Sequence, residues 1–216
     1  CPVGAITIEK TEEAADEKAK GVWVAVQQME GKALPVAYEL LGKGRELADA
    51  LRCPLTAVII GKEAGFAREL VYSGADEVLC CVDEGLSDTD DETFARMLIP
   101  LIRERQPEAV LFGATILGRA AAPRVAAALG TGLTADCTAL SIEPDSGLLA
   151  QTRPALGGNL MATIVCPSSR PQMATVRPGI FQCPEPDLSR TGRIGNIKAA
   201  EAEKARIEIL SRAKKK

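Results

Sequence analysis

Apolar positions follow one pattern before Gly130 and another after it. In the first half, short β-rich runs alternate with longer segments of helical spacing. Val22 to Gln28 reads as a strand after Gly21, and Ala33 to Leu51 as a helix with Val36, Leu40, Leu47 and Leu51 on its apolar side. Leu55 to Ile60 is an apolar run, continuous but for Thr56 and ended by Gly61, the pattern of a strand covered on both faces. Glu63 to Tyr72 then reads as a helix, Glu77 to Val82 as a strand, Thr89 to Arg105 as a helix, Ala109 to Phe112 as a strand and Gly118 to Leu129 as a helix. Strands separated by helices need crossover connections, so the expected fold is α/β with a mainly parallel sheet.

After Gly130 the helical spacing stops. Leu133 to Ile142, Gly147 to Arg153, Leu160 to Val165 and Gln172 to Arg177 are short alternating segments, an antiparallel extension of the sheet. Met161–Val165 and Met173–Arg177 are nearly the same sequence, and the turn-rich stretch Pro167-Ser168-Ser169-Arg170-Pro171 joins them. The expectation is an antiparallel pair that sets Arg153, Arg170 and Arg177 around one mouth. Arginine suits such a place because its planar fork grips phosphate or a carbonyl-rich ring in two directions, whereas lysine is a point charge.

Composition narrows the chemistry. The chain has 216 residues, 46% of them apolar, enough for one good core and a small appendage. A net charge of −3 and 3% aromatic residues speak against nucleic-acid binding. No apolar run approaches the ~20 residues of a spanning helix, and the opening residues do not read as a signal peptide, so the expected compartment is the cytoplasm. There is no histidine, which removes Ser–His and Cys–His nucleophiles and histidine-ligated metals together. Asp136 is accordingly read as a buried or turn-capping carboxylate rather than a catalytic one.

Cysteines stand at positions 1, 53, 80, 81, 137, 166 and 183, with no C-x-x-C pair, so a disulfide framework or zinc site is not expected and most should be buried. Cys80 and Cys81 should face opposite sides of a sheet. Cys1-Pro2 matches the close of the ferredoxin run C-x2-C-x2-C-x3-C-P, which makes Cys1 a candidate [4Fe–4S] ligand whose companions would lie upstream; the alternative is a cysteine left by cutting or cloning.

Two stretches carry the candidate binding residues. Gly113 to Arg119 joins a buried strand to a helix, so free backbone N–H groups, the Thr115 hydroxyl and Arg119 could meet an anion; alternatively the glycines make a tight turn and Arg119 is solvated. Arg153, between Thr152 and Pro154, has its backbone pushed toward an extended form, and Gly157-Gly158-Asn159 permits close approach of a ring or another backbone. The surroundings are locally basic: Asp136, Glu143 and Asp145 are the acids between Ala109 and Pro184, against five arginines. Asp83 to Glu92 is by contrast an acidic stretch, read as a solvated loop and helix start.

The segments VWVAVQQ, LFGATILGRAAAPRVAAALGTGLTADCTAL, TRPALGGN and MATIVCPSSRPQMATVRPG resemble, in content and order, the amino-terminal domain of the electron transfer flavoprotein alpha subunit. The resemblance covers about residues 21–184 and implies a doubly wound sheet related to adenine-nucleotide-binding folds. It further implies that residues 1–20 close a ferredoxin-like module and linker, and that 185–216 lead toward a separate FAD domain, so that no cofactor is expected on this stretch itself. The implied role is scaffold and docking surface for a beta subunit carrying AMP or a second FAD. Arg153 would then lie near that site, Thr152, Gly157, Gly158, Asn159, Thr115 and Arg119 would line the same region, and a dehydrogenase would be the redox partner. The protein would be a carrier and not an enzyme. A free-standing adenine-nucleotide module or small transferase is the other reading that the bare pattern allows.

Overall fold

The computed structural model describes residues 20–83, 86, 90–155, 158 and 160–197. Cys1 and the rest of residues 1–19, together with 198–216, lie outside the described residues.

The first strand, β1 (Val22–Val26), is buried at every position. It runs into a small hairpin, β2 (Gln28–Met29) and β3 (Lys32–Ala33), whose two turn residues Glu30 and Gly31 both have positive φ. The apolar pattern carries the strand through Gln28 and begins the helix at Ala33. Instead helix α1 (Pro35–Leu51) starts with proline, whose fixed φ and missing N–H cost nothing in a first turn. Strand β4 (Leu55–Gly61) follows, then a short helix α2 (Ala67–Tyr72), later than the expected Glu63, and strand β5 (Glu77–Val82).

Helix α3 (Asp91–Arg105) has Asp90 as its cap, accepting from the Thr93 N–H at 3.1 Å, with Asp91 and Glu92 in the first turn and Arg103 and Arg105 in the last. The acidic stretch thus serves in part as a helix start. Strand β6 (Ala109–Gly113) and helix α4 (Ile116–Leu129) complete the alternating half, and Gly130 ends α4 in the left-handed conformation.

The seven-stranded sheet has the order β12-β5-β4-β1-β6-β11-β7, and every recorded pairing in it is parallel. The chain builds outward from β1 through β4 and β5, then returns to β6 on the other side. One core lies between the sheet and α1 with α2, the other between the sheet and α3 with α4. This is the doubly wound α/β layout, with Cys80 in one core and Cys81 in the other.

The second half departs from expectation in two places. Strand β7 (Leu133–Cys137) belongs to the large sheet, but β8 (Ala139–Ile142), β9 (Leu149–Ala155) and β10 (Leu160–Ile164) form a separate antiparallel sheet. The two similar segments therefore do not pair. Strand β10 lies against β9, whereas β11 (Gln172–Val176) slots in parallel between β6 and β7. Burial separates them: β11 is buried throughout, while Leu160, Met161 and Ile164 of β10 are exposed. A parallel slot between two strands has no room for a hairpin return, so the chain crosses from one sheet to the other between them.

The described part of the segment beyond residue 184 adds one more element. Strand β12 (Arg193–Asn196) adds to the free side of β5 as the sheet's far edge.

Candidate functional site

Ligands of open α/β sheets sit beyond the carboxyl ends of the strands, where neighbouring strands connect in opposite directions. Here that crevice lies between β1 and β6. It is plugged by the side chain of Gln27, only 2% exposed, at the end of β1. The Gln27 amide donates to the Gly113 carbonyl at 2.9 Å, and the Thr115 hydroxyl donates to the Gln27 Oε1. Thr115 also caps α4, its Oγ1 accepting from the Gly118 N–H at 3.2 Å. A Cβ on Gly113 would lie 2.6 Å from the Val36 side chain, and one on Gly118 would run into the Gly113 carbonyl and the Gln27 amide.

These glycines make a tight turn, and the Thr115 hydroxyl is spent within it. Gln27 was missed by sequence reasoning, although the pair of amides Gln27-Gln28 closing the apolar run VWVAV was a visible signal.

Beside the plug is an exposed rim. Arg119 donates from Nε to the Ala114 carbonyl at 2.9 Å and reaches Asp136 with Nη2 at 3.1 Å. Arg177 approaches the other oxygen of Asp136 at 3.7 Å. Two guanidiniums, each about half exposed, thus share one carboxylate and leave a surplus positive charge at the ends of β6, β11 and β7. Asp136 is held there by backbone geometry: its φ is 60°, its N–H donates to the Thr175 Oγ1 at 2.9 Å, and the β7–β11 register shifts at this point. Its role is therefore to anchor charge at a bulge. Next to the rim, Ile116 is 93% exposed, an apolar side chain in solvent at the start of α4.

Arg153 lies on β9, which packs beside β7. Burial pushes the Cys137 thiol up to about 11, and Arg153 is near enough to oppose that rise while Asp136 adds to it. Arg153 therefore borders the same corner as Asp136. Its Nε makes a long contact of 3.4 Å with the Pro154 carbonyl, and no carboxylate pairs with it among the described residues. Thr152 is bound across the sheet, Oγ1 to Oγ1 with Thr163 at 2.9 Å. Gly158 is exposed with φ of 86°, which glycine adopts without strain, and its Cβ position faces open space. Gly157 and Asn159 lie outside the described residues, as does Cys1.

Arg170 is not part of this mouth. It pairs with Glu108 at 2.5 Å at the opposite, amino-terminal end of β6 and β11. Gln172 donates to the same carboxylate at 2.9 Å and accepts from the Leu149 N–H at 2.9 Å. Of the three arginines expected around one mouth, the structure places Arg177 on the rim and Arg153 at its border, and it removes Arg170 to a structural junction.

Among the described residues no group of three or more Cys, Asp or Glu is arranged to hold a metal. Among the same residues no helix is long and apolar enough to cross a membrane.

The electron transfer flavoprotein domain family matches residues 22–202. Protein FixB of Clostridium saccharobutylicum is 50% identical over 163 residues, 76% of this chain and 49% of that protein. The electron transfer flavoprotein subunit alpha of Clostridium acetobutylicum is 49% identical over 164 residues, 76% of this chain and 49% of that protein. The lactate dehydrogenase (NAD(+),ferredoxin) subunit LctC of Acetobacterium woodii is 39% identical over a 222-residue alignment, 99% of this chain and 52% of that protein. The chain spans about half the length of these relatives. With the family match covering most of a doubly wound sheet, the chain belongs to the electron transfer flavoprotein family, as the amino-terminal domain of an alpha subunit.

Proposed function

We propose that this domain is the scaffold and docking surface of a flavin-based electron carrier and seats a beta subunit, with no catalysis of its own. The observation that carries the reading is the exposure of Leu160, Met161 and Ile164 on both faces of β10, close in sequence and in sheet to Arg153. Apolar side chains held out on an edge strand mark a surface made to be covered. The rim of Arg119 and Arg177 supplies the positive charge beside it. Bound flavin supplies one- and two-electron transfer, and Arg153 is the residue of this chain we assign to face the beta subunit's cofactor, where a guanidinium favours an anionic reduced ring.

The principal FAD is assigned to the part of the protein beyond this half. Cys1 is assigned as a ligand of a [4Fe–4S] cluster whose other ligands precede it. A lactate dehydrogenase (NAD(+),ferredoxin) subunit and an acryloyl-CoA reductase electron transfer subunit beta among the relatives support a dehydrogenase or reductase partner and an electron-bifurcating parent, to which we assign the cytoplasm.

The test is calorimetry and gel filtration of the purified chain with flavin, AMP and ATP, and then with its beta subunit. The expected outcome is a colourless chain that ignores the nucleotides and forms a one-to-one complex with beta, lost in a Leu160→Lys, Met161→Lys variant. Tight AMP or ATP binding by the chain alone, or no complex with beta, overturns the proposal.

A further inference from the structure

After β11 the next strand in sequence, β12, lies at the far edge of the sheet, with β6, β1, β4 and β5 between them. The connection must cross about five strand spacings, roughly 24 Å, and return along the strand length. Residues 177–192 have slack for this, since an extended chain covers about 3.3 Å per residue. A free tether would hang loose. This one is fastened along its course.

The first fastening is Glu39 of α1, a carboxylate only 6% exposed. Its two oxygens accept from the Gly179 N–H at 3.0 and 2.9 Å, and Oε2 also faces the Phe181 N–H at 3.4 Å. Lys43, one turn further along α1, stands 5.1 Å above the Phe181 ring. Pro184 packs on Gly42, where a Cβ would sit 3.1 Å from its ring. The Asp187 N–H then donates to the Tyr72 carbonyl at the end of α2 at 2.9 Å.

The second fastening is Asp76, just before β5. It accepts from Arg190 at 2.7 Å, from Arg45 of α1 at 2.6 Å and from the Leu55 N–H at 2.8 Å. Its backbone carbonyl accepts from the Arg193 N–H at 3.0 Å, and Gly192 fits so closely that a Cβ would lie 2.9 Å from that oxygen. The strap ends with the Ile197 N–H donating to the Cys80 carbonyl at 2.8 Å.

Burying a carboxylate is costly unless it is fully hydrogen-bonded, and a passive connector has no use for one. We propose that residues 177–197 are a rigid strap, locked separately at Glu39 and at Asp76, that fixes the point at which the polypeptide leaves the sheet. Residues 177–197 then move as one body with the sheet, and the chain does not hinge at the end of β11. The inference stands independently of the electron-carrier reading.

Hydrogen exchange resolved by residue tests it on this chain. In the wild type the amides of Gly179, Asp187, Arg193 and Ile197 should exchange at least about ten-fold slower than free peptide. Arg190→Gln should speed Asp187, Arg193 and Ile197 by about ten-fold, the loss of one charge-assisted hydrogen bond, and leave Gly179 and the amides of β1 and β6 unchanged. Glu39→Gln should do the converse, loosening Gly179 and Phe181 alone. Strap amides that exchange like free peptide in the wild type overturn the proposal, as does exchange unaltered by either variant.

Discussion

At the amino-terminal end of β11, Arg170 shares Glu108 with the fully buried Gln172, which in turn holds the Leu149 N–H. At the carboxyl-terminal end, Arg177 shares Asp136 with Arg119, and both guanidiniums stand half in solvent. The first cluster has one cation for one carboxylate and backbone behind it. The second has two cations for one carboxylate and solvent in front of it. Both arginines reach solvent, so the difference is balance: charge that is matched one to one and tied to backbone stitches strands together, whereas charge in surplus remains available to a partner. Residue type alone does not tell the two apart, because both are arginines one short strand apart.

The largest effect should come from the floor beneath the exposed rim. Gly118→Ala forces a Cβ into the Gly113 carbonyl and the Gln27 amide, backbone and plug that cannot step aside. Overpacking of this kind should cost about 3 kcal/mol or more in urea unfolding. A variant as stable as wild type would mean that the rim rests on a pliable base. Next in size is Glu108→Ala at the stitched end, which strands Arg170 and leaves the Gln172 amide buried without its acceptor. The expected loss is about 1–3 kcal/mol by the same measurement, and a change indistinguishable from that of an exposed ion pair would erase the contrast between the two ends.

The alternating half of the chain was legible because β1 and β4 are buried on both faces and so read as apolar runs, broken in β4 only by Thr56 before the closing Gly61. The rim was partly legible, since Arg119 and Arg177 end recognisable segments. The pairing of Met161–Val165 with Met173–Arg177 failed because near-identical local sequence carries no record of whether a strand is covered. The same limit hid Gln27, Glu39 and Asp76. Each is a polar residue whose partners are distant in sequence, such as Gly113, Gly179 and Arg190. Glu39 did leave a trace, an acid beside Leu40 on the apolar side of α1, but only the strap that covers it explains the placement.

Cys137 offers a probe of how closed the corner under the rim is. Burial raises its pKa to about 11, with Arg153 working against the rise. A raised folded pKa means the native state keeps a proton that the unfolded thiol gives up near about 8.5. Its contribution to stability is complete below that pH and is lost as pH climbs toward about 11. Wild type should therefore lose urea resistance across that alkaline window more steeply than Cys137→Ala. At pH 8 an aromatic disulfide reagent should modify the exposed Cys183 in a fast phase and reach Cys137 only through unfolding. Equal labelling rates would show the corner open to solvent.

The smallest effect, and the sharpest test of what Asp136 does, compares two substitutions at that one position. Asp136→Gly and Asp136→Ala both remove the carboxylate between Arg119 and Arg177, so the lost ion pairs, worth about 0–1 kcal/mol at such exposure, cancel in the comparison. What remains is backbone: at a φ of 60° glycine is at ease, whereas alanine pays about 1 kcal/mol or more for the left-handed conformation. The glycine variant should sit within about 1 kcal/mol of wild type, and the alanine variant about 1 kcal/mol below it. If both variants lose the same several kcal/mol, the carboxylate is structural in the manner of Glu108, and the carboxyl-terminal end is stitched as tightly as the amino-terminal one.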